Sequence, residues 1–126
     1  MISDYILMCK EAKEIQELWE PKVGDRIINK ENNPHPSFCL PYRDELKQDK
    51  FHWIPRQEDL QSLCMKYHDR YYTFDVLLDD FCAGWNMPSP GLNESFDEYW
   101  LLFTMDVLFD KEWNHETKKW QPIEVK

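Results

Sequence analysis

Ser95-Phe96-Asp97-Glu98-Tyr99-Trp100-Leu101-Leu102-Phe103-Thr104-Met105-Asp106-Val107-Leu108-Phe109 is the stretch on which the fold turns. Ser95 and Glu98 match the Ser-x-x-Glu capping box, whose two side chains satisfy N–H groups that a helix start leaves unpaired. Beyond the cap, Phe96, Tyr99, Trp100, Phe103 and Val107 share one side of a helix, and Leu102, Met105 and Phe109 cover another. A helix apolar over most of its girth belongs inside a domain, and the other elements must cover it.

Downstream, Glu112-Trp113 and Lys119-Trp120 flank the polar run Asn114-His115-Glu116-Thr117, which predicts a closing β-hairpin without the usual Asn-Gly signal. Upstream, Thr73 to about Ala83 reads as a helix with Phe74, Leu77, Leu78 and Phe81 inward and Gly84 at its C-terminal cap. A further helix follows Pro55, with Glu58 and Asp59 favouring its dipole and Leu60, Leu63, Cys64 and Tyr67 facing in. Phe51-His52-Trp53-Ile54 alternates as a strand, and Arg26-Ile27-Ile28-Asn29 is a second.

The chain opens with a helix capped by Ser3 or Asp4. Tyr5, Met8, Ala12, Ile15 and Trp19 form its buried stripe, and Pro21 stops it. Asn32-Asn33-Pro34-His35-Pro36 forbids regular structure, so residues 30–50 form an irregular loop. The expectation is one α+β domain over residues 1–126: about four helices around an aromatic core, a small antiparallel sheet and a C-terminal β-hairpin.

At 126 residues one core is affordable, and six Trp, six Tyr and seven Phe supply its bulk. Three Gly leave no glycine-rich phosphate loop. A net charge of −9, from 24 acids against 15 bases, repels phosphates and anionic lipid, so direct nucleic-acid binding and membrane association are not expected. The same field permits a basic protein partner, although solubility alone accounts for many acidic surfaces. Cys9, Cys39, Cys64 and Cys82 show no metal or redox spacing. No secretory or membrane-spanning run is present, so the expectation is a cytoplasmic protein with free, mostly buried thiols. Cys82 is expected to be a core thiol.

Chemistry-bearing patterns are sparse. The four His, at 35, 52, 68 and 115, lack zinc spacing, and no nucleophile motif occurs. Trp53, Arg56 and Gln57, where a strand feeds a helix N-terminus, are candidates for binding an acidic side chain or small anion; the alternative puts Trp53 in the core and Arg56 on a nearby carboxylate. Glu11-x-x-Glu14 and Glu94-x-x-Asp97 could each offer two carboxylates to Mg²⁺. That pattern is similar to all-α nucleotide pyrophosphatases of the MazG and dUTPase type. It departs from them in the roughly 80 residues between the pairs and in the β elements.

Three segments, Glu14 to Asp25, Trp53 to Gln61, and Glu94 to Phe109 closing on Trp113 and Trp120, together resemble small uncharacterised phage and prophage proteins. The resemblance covers under half of the chain. It implies bacterial or phage origin and cytosolic residence, and it supplies no catalytic or binding residue. The preferred expectation is a non-catalytic, phage-type accessory protein that binds another protein and carries no cofactor. The runner-up is a metal-dependent nucleotide hydrolase on Glu11, Glu14, Glu94 and Asp97.

Overall fold

The structure, a computed structural model, describes residues 4–20, 25–29, 31, 33–35, 51–84 and 96–123. It is α+β, and the chain divides into two compact units, Met1–Arg56 and Gln57–Lys126. Among the described residues, no helix is long and apolar enough to cross a membrane.

In the first unit the expected opening helix is two, α1 (Asp4–Glu11) and α2 (Lys13–Leu18). Ala12 between them lies at φ −80° and ψ 74°, outside the helical region. The stripe survives the break: Tyr5, Met8, Ala12, Ile15 and Trp19 are all buried. At the break the Cys9 carbonyl accepts from the Ala12 N–H at 3.2 Å and from Gln16 Nε2 at 3.0 Å.

Strands β1 (Ile27–Asn29), β2 (Pro34–His35) and β3 (Phe51–Trp53) form an antiparallel sheet in the order β2-β1-β3. Strand β2 corrects the expectation that Pro34 and its neighbours forbid regular structure. Asn29 N–H donates to the Asn33 carbonyl, and Ile28 lies opposite Pro34. Bonded and non-bonded pairs alternate along an antiparallel ladder, so Pro34 occupies a position where no N–H is required. The Asn29 side chain accepts from the N–H groups of Glu31 and Asn33, closing the tight connection. The same alternation applies to β3. Ile54 N–H donates to the Arg26 carbonyl at 2.7 Å, so Trp53, opposite Ile27, points its N–H and C=O to the outer edge.

The second unit holds α3 (Gln57–Tyr67), α4 (Phe74–Asp79), a π-helical turn (Asp80–Gly84), α5 (Phe96–Phe109), β4 (Lys111–Asn114) and β5 (Lys119–Pro122). Thr73 caps α4 by accepting the Val76 N–H at 3.3 Å. Leu60, Leu63 and Cys64 of α3 are buried, and α3 packs closely on α5. Residues Glu98 to Leu101 and Phe103 to Met105 of α5 are buried, as its apolar girth requires. Phe81 stacks on Trp100 at 3.9 Å and meets Phe103 edge-on at 5.4 Å, which makes an aromatic centre.

Expected inward residues at helix ends differ. Tyr67, Phe74 and Phe96, at the end of α3 and the starts of α4 and α5, are exposed. Cys82 is exposed too, correcting its assignment to the core. It lies one step past the buried Phe81 in the π-helical turn, and adjacent residues of a helix point in different directions. Cys9 and Cys64 are buried free thiols. The Ser95 capping box, the Ser3 cap, Cys39, the Pro21 stop and most of the 30–50 loop lie outside the described residues.

The hairpin forms one residue later than expected, with its turn at 115–118. Asn114 Oδ1 accepts from the N–H groups of Glu116 and Thr117, and Lys118 takes φ 58° where glycine is more usual. Trp113 faces Trp120 across the strands, with ring centroids 5.2 Å apart.

Candidate functional site

The feature that stands out lies in the second unit, where α3 gives way to α4. His68 N–H continues the α3 pattern onto the Cys64 carbonyl, and Tyr71 N–H donates to the His68 carbonyl. The buried Tyr71 ring sits 4.8 Å from His68 and 6.0 Å from Phe103, which anchors the turn to α5. With Tyr71 held inward, its neighbours Arg70 and Tyr72 project outward, and both are exposed.

Arg70 meets Asp80 through two parallel bonds, Nε to Oδ2 at 2.5 Å and Nη2 to Oδ1 at 2.9 Å. This fork fixes the guanidinium in orientation as well as position. Tyr71 also hydrogen-bonds to Asp80, the first residue of the π-helical turn. Asp69, Arg70, Tyr72, Val76, Asp79 and Asp80 line an open groove of about 650 Å³. Tyr72 is 78% exposed along it.

The electrostatics of the groove are those of a fixed surface. The Arg70 guanidinium holds the Asp80 carboxyl below the usual carboxylate range, and Asp80 in turn holds Arg70 more firmly protonated. Burial pushes the Tyr71 hydroxyl up to about 12, assisted by its bond to Asp80. The Arg70 and Asp80 shifts favour the charged forms that make up the fork, and the Tyr71 shift favours the neutral hydroxyl. Burial likewise raises the Cys64 thiol to about 11, against a smaller lowering by its contact with Thr104. The Cys64 thiol is buried, with its Sγ 3.4 Å from the Thr104 hydroxyl.

The residues singled out from the sequence lie elsewhere. In the first unit, Trp53 is buried and stacks on Trp19 with ring centroids 6.1 Å apart. Both its backbone polar groups are bonded to Gln16. Arg56 is half-buried; the neighbouring Pro55 carbonyl receives Arg26 Nη2 at 3.0 Å and the Tyr5 hydroxyl. Glu11 is exposed and Glu14 half-buried. In the second unit, Gln57 is exposed at the start of α3, and its N–H donates to Asp97 Oδ1 at 2.8 Å. Asp97 therefore serves the N-terminus of α3 from the first turn of α5, a favourable place for a carboxylate. Glu94 lies outside the described residues. Among the described residues, no group of three or more His, Cys, Asp or Glu is placed to hold a metal ion.

Nothing in the sequence reading marked Arg70, Tyr72, Asp79 or Asp80. The available signal was local: an Asp-Arg-Tyr-Tyr run between two helical patterns, at a position where loops carry recognition groups. No family model, no curated protein and no solved structure matches the chain.

Proposed function

We propose that the protein is a small, acidic, non-catalytic module of phage type that binds another protein through the α3–α4 turn of its second unit. Exposure of Tyr72 beside the Arg70–Asp80 fork carries this reading. Tyrosine and arginine are among the side chains that dominate binding energy at protein interfaces. Rings that project while their neighbours are pinned lose little conformational freedom on binding.

The distribution of apolar surface supports the same face. Met65, Tyr67, Tyr72, Phe74 and Phe96 are the exposed large hydrophobic residues among those described, and all belong to the second unit. Four of the five fall between Met65 and Phe74, spanning the end of α3, the turn and the start of α4. Of these four, Tyr72 lines the groove itself.

Affinity capture from a bacterial host lysate tests the reading, with wild type and Tyr72→Ala compared side by side. A stoichiometric partner retained by wild type and lost from the folded variant is the expected result. A partner retained equally by both places binding elsewhere and overturns the assignment to this turn.

A further inference from the structure

The groove's chemistry narrows the partner, given the protein-binding reading on which this inference rests. We infer that it receives an arginine-bearing segment of the partner protein. The Arg70–Asp80 fork sets one positive charge against one negative charge, so Asp69 and Asp79 leave the lining net negative. The whole chain, at −9, adds a field that draws cationic segments in. A carboxylate rim selects for a cation, and a guanidinium can engage a carboxylate in bidentate fashion.

The apolar part of the lining selects among cations. Tyr72 offers an exposed ring, and Val76 a half-buried aliphatic surface. A guanidinium stacks on an aromatic face while its aliphatic stem covers apolar surface, a combination that a hydrated metal ion does not match. In the Arg70–Asp80 fork the native guanidinium is directed at the Asp80 carboxylate, which leaves Asp69 and Asp79 as the carboxylates of the lining outside the fork. The occupant is thus a peptide segment with at least one arginine, its stem along Tyr72 and Val76 and its head toward Asp69 and Asp79.

Titrating the ¹⁵N-labelled full chain with the peptide acetyl-Gly-Arg-Arg-Gly-amide, with acetyl-Gly-Gln-Gln-Gly-amide as the neutral control, tests this at fixed salt. Amide shifts confined to 69–80 with the arginine peptide and absent with the glutamine peptide are expected. The double variant Asp69→Asn, Asp79→Asn should weaken the interaction by about tenfold or more, and Tyr72→Ala by severalfold. All three positions are exposed, so the variants retain the fold, as far-UV circular dichroism will show. Shifts spread equally to the exposed carboxylates Glu11 and Glu17 of α1 and α2 would show non-specific attraction and overturn the inference. So would equal response to both peptides, or no response. If the lysate partner still depends on Tyr72 in those cases, only the arginine assignment falls and the protein-binding reading stands.

Discussion

The side-chain amide of Gln16 meets the backbone of Trp53 on both sides, accepting its N–H at 2.9 Å and donating to its carbonyl at 2.8 Å. Trp53, like Phe51 two residues before it, turns its polar backbone groups away from β1, and at Trp53 this amide takes the place that a further strand would occupy. An unpaired edge invites association with other chains, and here a side chain covers it. The same amide nitrogen also donates to the Cys9 carbonyl across the α1–α2 break, linking an irregularity in one element to the protection of another.

Replacing Gln16 by Ala removes three hydrogen bonds at a part-buried site. A net bond contributes about 0.5–1.5 kcal/mol, and an orphaned buried group costs about 1–3 kcal/mol. The expected loss is about 2–3 kcal/mol by urea denaturation. A loss under about 0.5 kcal/mol would show that water replaces the amide without penalty.

Phe103 is 1% exposed amid Tyr71, Phe81 and Trp100. Truncation to Ala should destabilise by about 3–5 kcal/mol, the usual range for a large aromatic in a core. Measured on a domain with about 5–15 kcal/mol in total, the variant should melt far below wild type. A melting temperature within a degree or two, roughly, would remove Phe103 from the core.

The α+β class was legible because periodicity survives locally: the Tyr5–Trp19 stripe, the girth of α5 and the strand around Trp53 each show their spacing. Helix ends were not. Periodicity assigns a face but not where the opposing element stops, so Tyr67, Phe74 and Phe96 were placed inside. Strand β2 was hidden because proline rules weigh the missing N–H without knowing which ladder position it occupies. The groove was hidden for a different reason. Arg70 and Asp80 are ten residues apart, and only folding joins them into one charged wall.

Asp80 predicts a pH dependence of definite sign. Its pKa is lowered in the folded state, so its contribution is present above the unfolded carboxylate value of about 3.9 and is lost as pH falls through the folded value. Thermal melts of wild type should therefore decline more steeply below pH 4 (roughly) than those of Asp80→Asn. The difference will be small, because Arg70 is largely exposed and solvent screens the pair. Parallel curves for the two proteins would mean that the fork contributes nothing in solution.

Thiol labelling separates exposure from burial. Cys82 is exposed, whereas Cys9 and Cys64 are buried and the Cys64 thiol is raised to about 11. N-ethylmaleimide at neutral pH should modify Cys82 in the native protein and reach Cys9 and Cys64 only on unfolding, as peptide mapping will resolve. Rapid native modification of Cys64 would contradict its packing against Thr104.

Magnesium addresses the hydrolase alternative. A ligand at 100 times its dissociation constant stabilises by about 2.7 kcal/mol, which a melting curve detects readily. Wild type should melt at the same temperature with and without Mg²⁺ or Mn²⁺. A rise abolished by Glu14→Gln would bring the carboxylate pairs Glu11, Glu14, Glu94 and Asp97 to the fore.

The bond from Gln57 to Asp97 and the contact of Cys64 with Thr104 each join residues 40 positions apart. Seen as kinetics, the second unit contains two classes of event. The α5 helix and the β4–β5 hairpin are local and form on roughly microsecond scales. Seating α3 on α5 must first close a long loop, whose entropy is lost before any contact repays it. On that ordering, the seating of α3 on α5, with the Asp97 carboxylate at the head of α3, is expected to be the slower of the two events.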